Sequence, residues 1–280
     1  MADYRYSLQT VKDAWEGCTS CDLGVRRQSV GGRFVFGEGA PRGIMFIGEG
    51  PGENEEAEGR PFVGKSGMIL RQVIDKLGLN GACYITNVVS CRSCSQAYNG
   101  EGQAVMRYDR TTKTRVPFIK DDAPTPLQMA TCLPRLYEEI YLVDPVLIVT
   151  LGAEAAKAII SERSFSVTSE RGKAREVRIP GAWHVPSLTD KKKAWLRRVR
   201  GQDVMPTVRR NVRYLMLPTL HPAYVLRRQA DQSYKNPLDM FLMDLKLAAS
   251  IYDDYLEKSF GVNQQEREVT IKDLAEMTDA

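Results

Sequence analysis

Apolar positions along this chain fall into two rhythms. Short continuous runs at Ile44–Ile47, Tyr84–Val89, Leu147–Leu151 and Tyr214–Leu220 predict strands covered on both faces. Between them, apolar residues recur at helical spacing. Leu8, Val11 and Trp15 form one stripe, and Ile69, Leu70, Val73, Ile74 and Leu77 form another that ends at a capping Gly78. Leu127, Cys132, Leu136 and Ile140 mark a helix over Thr125–Val143, and an Ala-rich helix spans Gly152–Ile160. Phe241, Leu245, Ala248, Tyr252 and Tyr255 mark a long helix over 237–260. Strands alternating with helices predict a three-layer αβα fold around a central four-stranded, mostly parallel sheet.

In such folds the chemistry sits in the loops at the carboxyl ends of the strands. The loops after the first, second and fourth strands carry Glu49, Asn87 and His221. The first of these, between Gly48 and the helix at Ile69, is rich in Gly, Pro and Glu. The segments left over are a Gly- and Arg-rich loop from Gly24 to Gly43 and two insertions, 92–126 and 161–213. We read 1–261 as a single domain carrying those insertions and 262–280 as a polar tail.

Composition narrows the class. At 280 residues with 43% hydrophobic and 26% charged content, the chain can bury a full core. No apolar run approaches the roughly 20 residues that span a bilayer. The amino terminus lacks a basic start followed by an apolar block, so a cytoplasmic, intracellular protein with no membrane partner is expected. Net charge is only +4, yet 161–213 holds fourteen Lys/Arg against five Asp/Glu, leaving the remainder at about minus five. A basic segment on an acidic body is the footprint of a polyanion-binding protein. The bland alternative is a solvated insertion.

Six cysteines in an intracellular chain point to metal or cofactor binding rather than disulfides. Cys18-x-x-Cys21 with Cys91-x-x-Cys94 has the spacing of a zinc site; Cys18, Cys21, Cys91 and Cys132 are the alternative set, for a four-iron cluster. Cys83, just before a strand, reads as a core residue. Gly59–Ser66 matches the phosphate-binding pattern G-x-x-x-x-G-K-[ST], but Glu53, Glu55, Glu56 and Glu58 precede it and Pro61 removes an amide donor, so nucleotide hydrolysis is rejected. Of the two histidines, His184 beside Trp183 suits a surface role, whereas His221, held between a strand end and Pro222, suits a functional one.

Four stretches in order, GEGPGENEEAEGRPFVGKSG, TNVVSCR, PTPLQMATCLPRL and LPTLHPAYVLR, behind a leading CxxC, resemble the motifs of the family 4, iron–sulfur uracil-DNA glycosylases. The resemblance implies a [4Fe-4S] cluster on Cys18, Cys21, Cys91 and Cys132, with Cys94 left over. It implies a uracil pocket from Gly48, Gly50, Phe62 and Asn87, with Phe62 stacking on an extruded base and Asn87 reading its edge. His221 would stabilise the departing base anion, and Glu49 would position water or offset the developing cation. Val225, Leu226 and Arg227 would wedge into the gap in the DNA, and the basic insertion would contact phosphates. A related branch links covalently to DNA through a histidine in the first insertion; none lies between Arg92 and Thr131, so that activity is rejected. The rival reading is a non-catalytic DNA- or protein-binding module of the same fold in a specialised, for instance viral, role.

Overall fold

The computed structural model describes residues 7–162, 164–180, 212–228 and 236–261. His184, most of the basic insertion and the tail 262–280 lie outside the described residues.

A six-stranded sheet forms the centre, in the order β1 (Glu38–Gly39), β3 (Cys83–Asn87), β2 (Ile44–Gly48), β8 (Leu147–Leu151), β10 (Val212–Thr219), β9 (Arg175–Ile179). The four inner strands are parallel, as the apolar runs predict, and β1 and β9 add antiparallel edges. The edges escape sequence reading because β1 has two residues and β9 alternates exposed and buried positions.

Period-two alternation assigns each inner strand to two cores. Ile44, Phe46, Leu147, Val149 and Leu217 face one layer, where they pack on α4 (Lys65–Lys76), α8 (Pro222–Arg228) and α9 (Pro237–Phe260) through Leu70, Val73, Val225, Phe241 and Leu245. Met45, Ile47, Ile148 and Met216 face the other, against α5 (Pro126–Val143) and α6 (Ala153–Ile160) through Leu136, Ile140, Ala155 and Ile159. A third cluster of Val11, Trp15, Leu23, Phe34, Phe36 and Cys91 joins α1 (Leu8–Glu16) and α2 (Asp22–Ser29) to the second layer.

Several local expectations change. The segment expected as a loop from Gly24 begins inside α2, whose first turn carries Asp22 at the favourable end of the helix dipole. The acidic run after β2 is a short helix, α3 (Glu53–Glu58), closed by Gly59 in the left-handed region. The first insertion holds two antiparallel ribbons, β4 (Cys94–Gln96) with β7 (Ile119–Asp121) and β5 (Met106–Asp109) with β6 (Thr114–Pro117). A four-residue helix, α7 (Val167–Glu170), opens the second. Leu127 is exposed rather than on the core stripe of α5, because Thr125 and Gln128 form a capping box that turns Gln128 and Met129 inward.

Candidate active site

The loops after β2, β3 and β10 converge at the carboxyl edge of the sheet on a cavity of about 620 Å³. Glu49, Gly50, Phe62, Asn87, His221, Leu226 and Arg227 all line it. Three side chains from distant stretches of sequence therefore share one chamber.

Gly48 shows how tightly they converge. A Cβ there would lie 2.4 Å from Asn87 Oδ1 and 2.5 Å from Phe62 Cζ, so no side chain larger than hydrogen fits. The Phe62 ring stands 6.2 Å from the His221 ring, tilted by 34°. Phe62 itself adopts φ of 55°, a left-handed backbone that costs a non-glycine residue of order 1 kcal/mol or more.

The surroundings hold that conformation. Arg71 on α4 donates from Nε to the Phe62 carbonyl at 2.9 Å and from Nη2 to the Pro61 carbonyl at 2.7 Å. Glu38 bridges Arg71 at 2.6 Å and Arg60 at 2.9 Å. Against the burial that would raise it, these two guanidiniums hold the Glu38 carboxyl below its usual range. Glu55 closes the same loop, accepting from the amides of Gly52, Val63 and Gly64 at 3.1, 3.0 and 2.8 Å. The Val63 and Gly64 amides are ones that a phosphate would need, which gives the rejected nucleotide motif a structural reason.

Asn87 is buried, and its Oδ1 has no hydrogen-bond partner among the described residues. A buried acceptor left unpaired costs about 1–3 kcal/mol, so it marks a place where a ligand donor belongs. Glu49 Oε1 is likewise buried and without a partner. Burial first, then the nearby Glu154 carboxylate, push the Glu49 carboxyl above its ordinary range, with Lys157 opposing.

His221 has a fixed tautomer. The Ala223 amide donates to Nδ1 at 3.1 Å, so the neutral ring carries its proton on Nε2. Enclosure of the ring, together with the charge of Arg227, lowers its pKa to about 4, with Glu55 opposing. The imidazole is thus a neutral donor at physiological pH.

Val225 departs from expectation: it is 1% exposed and packs into the core between α8 and the sheet. Helical geometry in α8 turns it inward while its neighbours Leu226 and Arg227 reach the cavity, so Val225 is not available to wedge into DNA.

A second, smaller cavity is lined by Cys18, Cys21, Cys91 and Cys132 with Trp15, Leu23, Phe34 and Val89. None of the six cysteines is in a disulfide, and Cys94, on β4, stands outside this lining. No three His, Cys, Asp or Glu among the described residues are drawn together as ligands of a single ion. Burial, then the nearby Cys132, pushes the Cys91 thiol up to about 12, with Arg27 opposing. Such a thiol ionises only beside strong positive charge. The amides of Leu23 and Gly24 point at Cys21, and Arg135 Nη2 lies 3.9 Å from Cys132 Sγ. Four sulfurs around one cavity, met by cationic and amide donors, suit an anionic thiolate-ligated group.

Arg135 joins the two cavities. It is wholly buried; its Nη2 donates to the carbonyls of Asn87 and Val88 at 2.6 and 2.7 Å, and its Nη1 bonds Glu139 at 2.9 Å and Thr86 at 3.3 Å. Sequence reading missed Arg135, Arg71, Glu38 and Glu55. For Arg135 a signal existed: it lies three residues past Cys132, a charge beside the apolar face of an amphipathic helix.

The model of the uracil DNA glycosylase superfamily matches residues 35–246. The chain is 30% identical over 227 residues to the type-4 uracil-DNA glycosylase of Thermotoga maritima, which covers 80% of this chain and 86% of that protein. To the type-4 uracil-DNA glycosylase of Sulfurisphaera tokodaii it is 37% identical over 174 residues, 60% of this chain and 66% of that protein. The corresponding protein of Pyrobaculum aerophilum is 31% identical over 179 residues, 62% and 76%. A match across the sheet and both sides of the cavity, with a relative aligned over most of its length, places this chain in the uracil DNA glycosylase superfamily, among the type-4 proteins.

Proposed function

We propose that this protein excises uracil from DNA by extruding the base into the larger cavity and hydrolysing its N-glycosidic bond, leaving an abasic site. The observation that carries the reading is the convergence of Phe62, Asn87 and His221 on one chamber beside Gly48.

A base inside a duplex is out of reach, so extrusion comes first, at a cost of a few kcal/mol. Phe62 stacks on the extruded ring. Asn87 accepts from uracil N3–H through the orphaned Oδ1 and donates to O4 through Nδ2; cytosine, with a bare N3 and an amino group, mispairs at both atoms. Bond breaking leaves negative charge on the base and positive charge on the sugar. His221 Nε2–H stabilises the base anion without first having to lose a proton. Glu49, in its anionic form, orients water or offsets the sugar cation. Leu226 and Arg227, at the mouth, enter the gap in the DNA, and the basic segment within 161–213 adds phosphate contacts.

A [4Fe-4S] cluster on Cys18, Cys21, Cys91 and Cys132 fits the second cavity, because such a cluster takes its four thiolates from spread positions. When bound it supplies a structural tie and no part of the glycosidic chemistry. The four cysteines would then tether α1, α2, α5 and the segment after β3 into one unit.

The test is release of uracil from single- and double-stranded oligonucleotides by purified, iron-loaded protein. Wild type should leave alkali-labile sites and Asn87→Ala far fewer; loaded wild type that leaves none on either substrate would overturn the proposal.

A further inference from the structure

The first insertion contributes a surface that the cavity chemistry does not use. In the β5–β6 ribbon, Met106 pairs with Pro117, Arg107 with Val116, Tyr108 with Arg115, and Asp109 with Thr114. Directly opposed residues share a face, and faces alternate along the strands. Arg107 and Val116 therefore share one face, while Met106, Tyr108, Arg115 and Pro117 share the other.

The first face is anchored. Both terminal guanidinium nitrogens of Arg107 grip the Glu53 carboxylate on α3, with Nη1 at 2.9 Å from Oε2, and Glu53 lines the main cavity. The ribbon's base is joined to its neighbour by Phe118, whose amide donates to Val105 and whose carbonyl accepts from Ala97, at 2.8 and 2.9 Å. The chain then returns through Asp121–Pro124, which also line the cavity. The ribbon thus stands on the rim of the chamber.

The opposite face is open. Tyr108 is 61% and Met106 42% exposed, an unusual display for a ring and a thioether, and no strand covers them among the described residues. Arg115 lies directly across from Tyr108 and is exposed; at the tip Asp109 accepts from the amides of Thr111 and Thr112, which presents Arg110 and Lys113 outward. A ring with cations beside and beyond it matches a nucleic-acid strand: a π-face for a base and positive charge for the phosphates on either side. Along an unpaired strand the base faces are open to such a ring, whereas inside a duplex neighbouring base pairs cover them.

We propose that the outer face of this ribbon binds an unpaired stretch of the DNA that carries the target base, with Tyr108 as a stacking platform and Arg110, Lys113 and Arg115 as phosphate contacts. The assignment rests on the DNA-directed activity proposed above and deepens it. The insertion lets the protein hold single-stranded substrate beside the chamber without helping the bond to break.

Binding of the full-length, iron-loaded protein to a labelled single strand lacking uracil, across a salt series, tests this directly. Tyr108→Ala should weaken binding about five- to tenfold and Tyr108→Phe should restore it. Joint replacement of Arg110, Lys113 and Arg115 by Ala should lower the slope of log K against log salt by about 2, at roughly 0.7 for each phosphate contact on a single strand. Single-turnover uracil release at saturating enzyme should stay within about twofold for all three, since none touches the base slot. Unchanged affinity and slope in Tyr108→Ala and the triple variant would overturn the assignment, as would a ribbon that holds a protein instead, which leaves both readings flat. Wild type that binds through Tyr108 yet frees no uracil would uphold the ribbon and overturn the enzymatic reading.

Discussion

The two cavities lie at opposite ends of one short stretch, from Asn87 to Cys91, and are finished in opposite ways. The larger keeps polar atoms unpaired: Asn87 Oδ1 and Glu49 Oε1 are buried without partners among the described residues, and Phe62 is held in a left-handed backbone. The smaller has Trp15, Leu23 and Phe34 for walls and directs its donors at sulfur. One region retains unfavourable groups that a substrate would relieve; the other closes apolar walls around four sulfurs. Substitutions in the first should therefore damage activity and spare the fold, and substitutions in the second should do the reverse.

The sharpest break in that contrast is Arg135, which belongs to both. Arg135→Met removes the counter-charge of wholly buried Glu139 and frees the Asn87 carbonyl, and should destabilise the protein by roughly 3–5 kcal/mol in denaturant unfolding. It should also lower uracil release by whatever folded enzyme remains, whereas a purely structural residue would leave that rate alone. Asn87→Ala comes next: release should fall about 10²- to 10³-fold, with no loss in melting temperature, because the substitution removes an unsatisfied buried acceptor. A marked drop in melting temperature would mean that Asn87 is a scaffold residue.

The acid limb of the pH–rate profile separates the two titrating groups of the larger cavity. Glu49 takes up its proton above its ordinary 4.5, whereas His221 charges only near 4, so activity should fall through protonation of Glu49 first. Glu49→Gln should erase that limb from the residual rate; persistence would assign it elsewhere. His221 also contributes to the pH dependence of stability. Its folded pKa lies below the ordinary 6.5, so the neutral ring's contribution is complete above 6.5 and is lost as pH falls toward 4. The smallest effect is expected at Cys94. Cys94→Ser should leave bound iron unchanged and shift stability by no more than about 0.5 kcal/mol, while Cys132→Ser should lose iron.

Much of this was legible in the chain. The four parallel strands and the helices over α4, α5, α6 and α9 follow from apolar periodicity alone, because each is deeply buried on at least one face. Glu49, Asn87 and His221 could be named because strand ends in a parallel sheet converge, whereas Phe62 could be named only through the family resemblance of its loop. What stayed hidden depends on contacts between remote residues. Val225 differs from Leu226 only in the turn of a seven-residue helix. Glu38 and Arg71 meet across 33 positions of sequence. The ribbons of the first insertion are short, largely exposed and polar, and so carry no core-facing period.

Glu55, by occupying the amides of Val63 and Gly64, has a consequence for any anion that reaches this loop. A phosphate arriving here meets a carboxylate already bonded to the N–H groups it would otherwise use. Both donors are committed to holding the loop's own backbone, and neither is left for an anion.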